Sequence, residues 1–234
     1  MSASRLKGKP LLEINNLPII CHVVKKAKET GIGKVIVATE DKEIVTAVEK
    51  NDGKAILTGN HKTGTDRIFE AFQKLKTSDI EYVVNLQGDE PMIDPKDIIN
   101  LNNLMIKNNS DVGTLASEIK EDSILNNENV VKVITKEKLE KNNITKAINF
   151  SRKNLSKQNS NIYHHIGIYA YKVSVLEKFI NLNQTKNEIE NRLEQLRALD
   201  NNITIMVALA KSSPIGIDTK EDYLAIKKIM EYKS

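Results

Sequence analysis

Tryptophan is absent from this chain of 234 residues, and cysteine occurs once, at Cys21. A single cysteine excludes an intrachain disulfide and a cysteine-ligated metal cluster, and its amphipathic surroundings predict a core side chain. No apolar run approaches the roughly 20 residues that a transmembrane helix needs. The opening residues, MSASRLKGKP, lack the apolar segment of a secretory signal, so we expect a cytoplasmic protein with no membrane partner.

Aromatic residues and arginine are also scarce, with four Phe, six Tyr and five Arg against 30 Lys. The net charge of +4 is spread along the chain and few rings are available for base stacking, so we expect no nucleic-acid partner. Together with 25 Asn and 29 Ile, the Lys surplus indicates the coding bias of an AT-rich genome. Under that bias, a retained Arg marks a place where Lys cannot supply the rigid guanidinium fork. The five are Arg5, Arg67, Arg152, Arg192 and Arg197.

Strand and helix patterns alternate in the first half of the chain. Apolar runs predict strands at 34–39, 54–58 and 81–87. Amphipathic segments with capping residues predict helices that begin near Asn16 and Pro18, Asp41, Thr65 and Asp94. This alternation is typical of a parallel sheet covered by helices.

The pattern changes after residue 110, where strand-like segments follow one another with little helix between them. The expected strands are VGTLASEI, VVKVIT, ITKAINF, 163–172 and 203–210, and the expected helices are 173–181, 187–199 and 219–232. Residues 151–161 are polar and predict a long loop. The second half is therefore expected to add a mixed, partly antiparallel layer.

The segment SASRLKGKP at 2–10 combines small residues and Gly8 with the cations Arg5 and Lys9, which suits an anion. The Walker pattern GxxxxGK(S/T) is absent, and on spacing alone a flexible basic N-terminus is the commoner interpretation. A doubly wound nucleotide-binding sheet normally opens with a buried strand before this loop. No such strand precedes residue 2, so the first strand is expected to be missing.

Carboxylates follow two of the predicted strands. Asp89 lies in NLQGDEPM, directly after the strand at 81–87, and Asp218 lies in GIDTKED, between the last strand and the last helix. Ligands bind at the carboxyl ends of strands in α/β sheets, and Mg²⁺ sites often use one or two carboxylates. An acidic turn explains Asp89 equally well, and Asp218 has the pattern of a helix cap. If the two come together, they form a two-carboxylate Mg²⁺ site.

Other motifs also allow two interpretations. HKTGTDR at 61–67 suits a nucleotide at a helix start, but an ordinary N-cap with a surface Arg explains it too. His164 and His165 are adjacent on a strand and point to opposite faces, so one packed and one exposed imidazole are expected rather than a metal site. Glu188 and Arg192 are expected to pair on a solvated helix face.

Taken together, the motifs resemble the 3-deoxy-manno-octulosonate cytidylyltransferases (CMP-KDO synthetases). The resemblance covers essentially the whole chain, and its segments are SRLKGKPLLEI, TGTDR, VVNLQGDEPMI, NFSR, HIGIYAY, LEQLRAL and GIDT. Four of the five Arg residues lie within them. The resemblance implies transfer of a cytidylyl group from CTP to KDO, giving CMP-KDO and pyrophosphate for lipopolysaccharide synthesis in Gram-negative bacteria.

The resemblance also implies an architecture. It predicts an α/β fold like that of the nucleotide-diphosphosugar transferases, with a mostly parallel mixed sheet, covering helices and a small antiparallel dimerisation layer. A single domain over 1–234 is expected, with a nucleotide-binding half at about 1–110 and a sugar-binding and dimerisation half at about 111–234. Members of the family usually act as homodimers.

Site residues carry over motif by motif. Those implied for the nucleotide are Ser4, Arg5, Lys9, Arg67 and Gln87. Those implied for the acid sugar are Arg152, His165, Tyr169, Glu194 and Gln195. Lys9, Asp89 and Asp218 are the implied catalytic residues, and both carboxylates would hold Mg²⁺. No side chain is identified as a general base.

Three departures from the family pattern leave alternatives open. The first apolar strand and the Ala-Arg pair that ends it are missing, Lys7 replaces a Pro, and Asn191 stands where many members have Glu. The last departure leaves the sugar open, so a related acid sugar such as 8-amino-KDO is an alternative. A truncated, inactive nucleotide-binding subunit is the alternative from a different class of protein.

Overall fold

The computed structural model describes residues 6–77, 79–155, 161–211, 213 and 216–232. The chain divides into two compact units, each assembled from separated segments. The first unit consists of Met1–Ser78, Leu86–Lys96 and Pro214–Ser234, and the second of Asp79–Asn85 and Asp97–Ser213. The chain thus passes from one unit to the other several times.

Short strands and helices of moderate length make up both units. The strands are β1 Glu13–Ile14, β2 Leu17–Pro18, β3 Val37–Thr39, β4 Ala55–Leu57, β5 Tyr82–Asn85, β6 Val112–Ser117, β7 Lys132–Thr135, β8 Ile144–Ser151, β9 Ile162–Lys172 and β10 Ile205–Leu209. The helices are α1 Ile19–Glu29, α2 Lys42–Lys50, α3 Gly64–Lys74, α4 Pro95–Lys107, α5 Asp122–Leu125, α6 Val173–Ile180, α7 Lys186–Asn191, α8 Gln195–Asp200 and α9 Lys220–Glu231. None of the helices in the described residues has the length and apolar character that a bilayer crossing demands.

Amphipathic helices supply the core of the first unit. Asp41 caps α2 by accepting a hydrogen bond from the N–H of Glu43 at 2.8 Å, and Thr63 caps α3 in the same way. Both helices pack against the parallel pair β3–β4, and their apolar residues face inward. The main apolar cluster contains Leu17, Ile20, Cys21, Ile44 and Val48. The prediction that Cys21 is a core residue is therefore confirmed.

A small hairpin precedes α1 where the sequence predicts a helix start. Asn15 and Asn16 adopt φ values of 49° and 57° and turn the chain between β1 and β2. Two successive left-handed residues make the tight hairpin turn for which Asn is favoured. Pro18 ends β2 and serves as the N-cap of α1, so the helix begins at Ile19, as the apolar spacing after Pro18 predicts.

A six-stranded sheet forms the centre of the second unit, in the order β5-β9-β6-β10-β8-β7, with β7 also paired to β9. Among the described residues of this sheet, β6 and β10 pair in parallel and the other pairings are antiparallel. β6 is buried along its whole length. The prediction of a mixed α/β fold is confirmed, but the prediction that the sheet is mostly parallel is wrong for the described strands.

Long-range pairing explains this error. The alternation of strands and helices favours parallel pairing of each strand with the next one, and among the described strands β3 and β4 are the consecutive strands that pair in parallel, whereas β1–β2 and β7–β8 pair antiparallel. β5 instead pairs with β9, so that Val83 lies opposite Tyr171. Partners this far apart in sequence leave no local periodicity by which the pairing could be recognised.

The predicted helix at 187–199 is divided into α7 and α8. Arg192 ends α7 with a left-handed φ of 53°, and its N–H donates to the carbonyl of Glu188. Thr185 and Glu188 form a capping box at the start of α7. Across the break, Arg197 of α8 reaches back to Glu188 and binds both of its carboxylate oxygens.

Candidate active site

Three charged side chains from distant parts of the sequence meet in the first unit. The amino group of Lys9 donates to the carboxylate of Asp89 and to Asp218 Oδ1, the latter at 3.1 Å. The side chain of Lys9 is only 13% exposed, whereas that of Asp218 is 62% exposed. The predicted convergence of the two carboxylates is therefore present, with one cation between them.

The backbone around Lys9 is a tight turn. Lys9 begins a 3-10 helix, Lys9–Leu11, and Gly8 precedes it at φ 74°, a left-handed conformation that favours glycine. Pro10 follows Lys9 inside this turn, where its fixed φ suits the start of a helix. The turn thus gives Lys9 a defined direction.

The two acidic segments are held together by the main chain. The N–H of Ile217 donates to the carbonyl of Asp89 at 3.0 Å, and the side chain of Ile217 is fully buried with Ile14, Ile19 and Ile226. This places Asp218 next to the loop that carries Asp89.

Asp218 is not the cap of the last helix. Thr219 caps α9 and forms a capping box with Asp222, whose carboxylate also accepts from the N–H of Asp218 at 3.1 Å. The helix-cap interpretation of Asp218 is therefore wrong by one residue, and the carboxylate of Asp218 is left to bind Lys9.

Burial and charge shift the acid–base behaviour of this group. Burial opposes the charging of Lys9, but hydrogen bonds to Asp89 and Asp218 outweigh it and raise the pKa of the amino group. Burial, together with the charges of Asp89 and Asp218, raises the pKa of Glu90 to about 8. Glu90 Oε2 is buried and has no hydrogen-bond partner among the described residues. A neutral Glu90 keeps the negative charge of the group at two carboxylates.

The TGTDR motif starts a helix, as the ordinary interpretation predicts. Thr63 Oγ1 accepts from the N–H of Asp66 at 3.1 Å and caps α3. Arg67 is not a free surface residue, because its side chain is 26% exposed and its Nη2 lies 3.5 Å from Glu40 Oε1. Arg67 Nε is buried without a hydrogen-bond partner in the described part of the chain, which leaves a donor for a ligand.

Two further nucleotide residues from the sequence prediction give less information. Ser4 and Arg5 lie outside the described residues. Gln87 is exposed in the loop that follows β5. It belongs to the first unit, as Asp89 does.

An aromatic cluster in the second unit contains two of the predicted sugar residues. The His165 ring lies edge-on to Phe150, with centroids 5.1 Å apart, and 5.5 Å from the ring of Tyr169. Tyr169 stacks on Tyr171 at 5.7 Å. His165 is only 8% exposed, and burial, followed by the charges of His164 and Arg152, lowers its pKa to about 3.

The two adjacent histidines have different partners. His165 Nε2 lies 3.0 Å from Thr114 Oγ1, whereas His164 Nδ1 lies 2.7 Å from Ser213 Oγ. The expectation that they do not share a metal ion agrees with this geometry, since their side chains leave opposite faces of β9. His165 is packed and His164 is half-buried.

The hydroxyl of Tyr169 is buried without a partner among the described residues. Burial, together with Tyr171 and Glu194, raises the pKa of this hydroxyl well above its ordinary value, so it stays protonated and can donate. Glu194 precedes α8, and its Oε1 lies 3.8 Å from Arg197 Nη2. Gln195 is the half-buried first residue of α8.

Arg152 directly follows β8 and is tied to a neighbouring loop. Its Nη1 donates to the carbonyl of Asn129 at 3.0 Å. Lys132, which is fully buried, donates to the carbonyls of Arg152 at 2.8 Å and Asn127 at 3.1 Å. Lys132 therefore fixes the backbone of a predicted sugar residue.

The expected solvated pair of Glu188 and Arg192 is not formed. Glu188 is only 4% exposed, and Arg197 Nε and Nη2 bind its two carboxylate oxygens at 2.8 and 2.5 Å. Arg197 also lies over the ring of Phe179, 4.8 Å from its centroid. The expectation was wrong because helical spacing was extended through Arg192, where the helix ends.

Sequence reasoning missed several of these polar residues. Glu90 lies inside a motif that was identified, but its burial cannot be read from the sequence. Thr114 and Lys132 lie in apolar strands, and a polar residue in such a run was the only available signal.

The described part of the chain contains no group of three or more His, Cys, Asp or Glu side chains arranged for a metal ion.

Comparison with known proteins identifies the family. A family model described as cytidylyltransferase matches residues 1–205. The 3-deoxy-manno-octulosonate cytidylyltransferase of Bartonella tribocorum is 39% identical over 232 residues, which cover 98% of this chain and 95% of the relative. The chain belongs to the 3-deoxy-manno-octulosonate cytidylyltransferase family. It is therefore a nucleotidyltransferase, and the resemblance drawn from its motifs is confirmed.

Further relatives support this assignment. The 3-deoxy-manno-octulosonate cytidylyltransferase of Thermodesulfovibrio yellowstonii is 42% identical over 246 residues, covering 97% of this chain and 94% of the relative. A solved CMP:2-keto-3-deoxy-manno-octonic acid synthetase complexed with CTP superposes with a TM-score of 0.90 at 34% identity, covering 99% of this chain and 95% of that one. UDP-glucose pyrophosphorylase, with a TM-score of 0.70 and 14% identity over 100% of this chain and 96% of that one, shares the fold.

Proposed function

We propose that this protein transfers the cytidylyl group of CTP to KDO, giving CMP-KDO and pyrophosphate for lipopolysaccharide synthesis. The observation that carries the proposal is the meeting of Lys9, Asp89 and Asp218 in the first unit. The relatives from Bartonella tribocorum and Thermodesulfovibrio yellowstonii are named as cytidylyltransferases of KDO, and the solved synthetase is complexed with CTP.

Mg²⁺ is the proposed cofactor, and the residues present fit it. Asp89 and Asp218 offer carboxylate oxygens, which Mg²⁺ prefers, and they already converge on one cationic group, the amino group of Lys9. An ion held by one or two carboxylates keeps coordination positions for water and phosphate oxygens. When bound, it would neutralise phosphate charge during transfer.

The nucleotide is proposed to lie against the first unit. The amino group of Lys9 is a fixed cation that can bind a phosphate oxygen of CTP, and Ser4 and Arg5 belong to the same segment of the chain. Arg67 has an unused buried Nε donor, and Gln87 exposes an amide. Phosphoryl-type transfer depends mainly on positioning and charge neutralisation, which these side chains supply.

The acid sugar is proposed to bind residues of the second unit. Arg152 offers a guanidinium fork for the sugar carboxylate. His165 and Tyr169 form one aromatic wall, while Glu194 and Gln195 offer an acceptor and an amide for hydroxyl groups.

The proposed reaction is an in-line displacement. The anomeric hydroxyl oxygen of KDO forms a bond to the α-phosphorus of CTP, the bond from that phosphorus to the bridging oxygen breaks, and pyrophosphate leaves. The hydroxyl proton passes to solvent, and no side chain is assigned as a general base. A homodimer and a cytoplasmic location are proposed on the family resemblance.

Pyrophosphate release tests this proposal. The full chain is incubated with CTP, Mg²⁺ and either KDO or 8-amino-KDO, and UTP replaces CTP as the control. We expect rapid release with CTP and KDO, and slow release in the UTP control. Faster release with 8-amino-KDO would change the sugar assignment. CTP binding without release from either sugar would contradict the proposal and favour an inactive nucleotide-binding subunit.

A further inference from the structure

The ring of His165 is held by a hydrogen bond on one side only. Thr114 Oγ1 lies 3.0 Å from Nε2, and Thr114 is itself fully buried in β6. Within the described residues, no hydrogen bond involves Nδ1 of this ring. The direction of the Thr114 bond therefore decides which ring nitrogen carries the proton.

The single proton of the Thr114 hydroxyl is committed to the main chain. Thr114 Oγ1 lies 2.7 Å from the carbonyl of Ile168 and 3.2 Å from that of Ile166. A carbonyl oxygen can only accept, so a contact of 2.7 Å requires the hydroxyl proton to lie on the line to Ile168.

A β-bulge in β9 explains why the carbonyl of Ile168 takes a side-chain donor. Thr114 pairs with Tyr169, but the next residue, Leu115, pairs with Ile166. Ile168 thus lies in the bulge, outside the register that pairs β9 with β6. Because an unsatisfied buried carbonyl is costly, the Thr114 hydroxyl is held in this orientation.

The remaining lone pairs of Thr114 Oγ1 face the histidine ring. An oxygen that already donates its proton to a carbonyl can only accept from Nε2, so Nε2 must carry the proton. The opposite arrangement would place two acceptor oxygens 2.7 Å apart without a proton between them. A neutral imidazole protonated on Nε2 has a free lone pair on Nδ1.

We propose that Thr114 is a positioning residue that holds His165 in the Nε2–H form, so that Nδ1 accepts a hydrogen bond from a hydroxyl of the acid sugar. The identity of the sugar rests on the proposed function, but the tautomer does not. His165 therefore selects groups that donate, such as hydroxyls, and disfavours groups that only accept, such as a carboxylate. Phe150, edge-on at 5.1 Å, limits rotation of the ring into another arrangement.

Nitrogen NMR of the full chain tests the tautomer directly. The chain has four His, and the His165 signals are assigned by their loss in a His165→Gln variant. We expect the proton on Nε2 at neutral pH in the wild type and in Thr114→Ser, which keeps the hydroxyl. Thr114→Val, which has a similar volume but no hydroxyl, should give mixed tautomers. A wild-type signal with the proton on Nδ1 would overturn the proposal.

Steady-state kinetics test the consequence for the sugar. Loss of one oriented hydrogen bond in Thr114→Val should raise the KM for KDO by about five- to tenfold, while kcat and the KM for CTP change by less than about twofold. Thr114→Ser should restore the KM for KDO. An equal tautomer and KM in Thr114→Val and wild type would contradict the role of Thr114.

The two measurements separate this proposal from the proposed function. If the wild type releases no pyrophosphate with KDO, the proposed function fails, and the NMR spectrum alone decides the role of Thr114. If Thr114→Val does not fold, the wild-type and Thr114→Ser spectra still decide the tautomer.

Discussion

At the scale of single residues, the amino group of the largely buried Lys9 lies between the carboxylates of Asp89 and Asp218. Hydrogen bonds to both carboxylates raise the pKa of Lys9, so its amino group stays positively charged. The single positive charge of Lys9 offsets part of the charge of the two carboxylates. The site is ready to accept phosphate oxygens at Lys9 once the acids bind a metal.

Removal of one carboxylate should therefore abolish most of the activity. Asp89→Asn keeps the size of the side chain but removes its charge. We expect pyrophosphate release at saturating CTP, KDO and Mg²⁺ to fall by about a hundredfold or more, since stabilisation of transition-state charge by a metal amounts to several kcal/mol. The measurement is the initial rate of pyrophosphate release.

Asp52→Asn is the matched control for this substitution. Asp52 is exposed, belongs to the same unit and adopts φ 57°, a conformation that Asn tolerates well. Its rate should stay within about twofold of the wild type, because exposed substitutions away from a site have small effects. Unchanged turnover in Asp89→Asn would remove Asp89 from the metal site.

The carboxylate pair could be predicted from the sequence because each acid follows a strand in a recognisable motif. The raised pKa of Glu90 could not be predicted, because it depends on burial and on the charges of Asp89, which is adjacent in sequence, and Asp218, which is distant along the chain. Thr114 could not either, since its role depends on a bulge in another strand. Residue types indicate possible chemistry, but the tertiary fold determines which atoms meet.

At the scale of elements, a buried ion pair joins α7 and α8 across the break between them. Burial opposes ionisation of Glu188, but hydrogen bonds from Arg197 and Gln184 outweigh it and lower its pKa. Arg197 is 4% exposed, so both charges are removed from water together. The pair fixes the short turn that carries Glu194.

Breaking this pair should destabilise the protein. Glu188→Gln leaves the guanidinium of Arg197 buried without a full counter-charge. We expect the free energy of unfolding to fall by about 3 kcal/mol or more, since loss of one partner of a buried pair typically costs 3–5 kcal/mol. Urea denaturation at neutral pH measures the change.

Glu190→Gln, on the same helix, is the control. The side chain of Glu190 is 61% exposed, and its Oε1 lies 3.7 Å from Lys186 Nζ. Loss of this exposed charge should change the free energy of unfolding by less than about 0.5 kcal/mol. Equal effects of the two substitutions would show that the pair of Glu188 and Arg197 has no special stabilising role.

Several helices of the fold follow from apolar spacing and capping residues, as α2 and α3 show. The break in the predicted helix at 187–199 does not, because Arg192 gives no local signal of a left-handed conformation. Strand pairing is the least predictable feature, since β5 finds its partner in β9 across most of the second unit.

At the scale of the whole molecule, the chain builds two units from interleaved segments and places a different class of chemistry in each. The first unit gathers acids and Lys9, while the second buries aromatic rings, His165 and an internal ion pair. The prediction of a single domain over 1–234 stays a prediction. The net charge of +4 does not describe the site of the first unit, where two carboxylates meet one amino group.

Global stability should depend on pH through His165. Its pKa is about 3 in the folded protein, below the ordinary value of 6.5, so the unfolded chain binds a proton that the folded chain excludes. The free energy of unfolding should therefore fall as the pH drops from about 6.5 towards 3, by about 1.4 kcal/mol per pH unit from this group.

His165→Gln removes this titration. Between about pH 6.5 and pH 4.5 its loss of stability should be about 2–3 kcal/mol smaller than that of the wild type, measured by urea denaturation at both values. Each protein is compared with itself at the two pH values, so any effect of the substitution that does not depend on pH cancels. Parallel pH dependence in the two proteins would show that folding does not lower the pKa of His165.

The main-chain bond from Ile217 to the carbonyl of Asp89 has a consequence for mutational tolerance. Because this bond uses no side-chain atom of Asp89 or Asp218, it survives replacement of either carboxylate. The relative positions of residues 89 and 218 therefore do not depend on the charges of their side chains. A lineage that lost one acid would keep the scaffold on which a single reversion restores the complete pair.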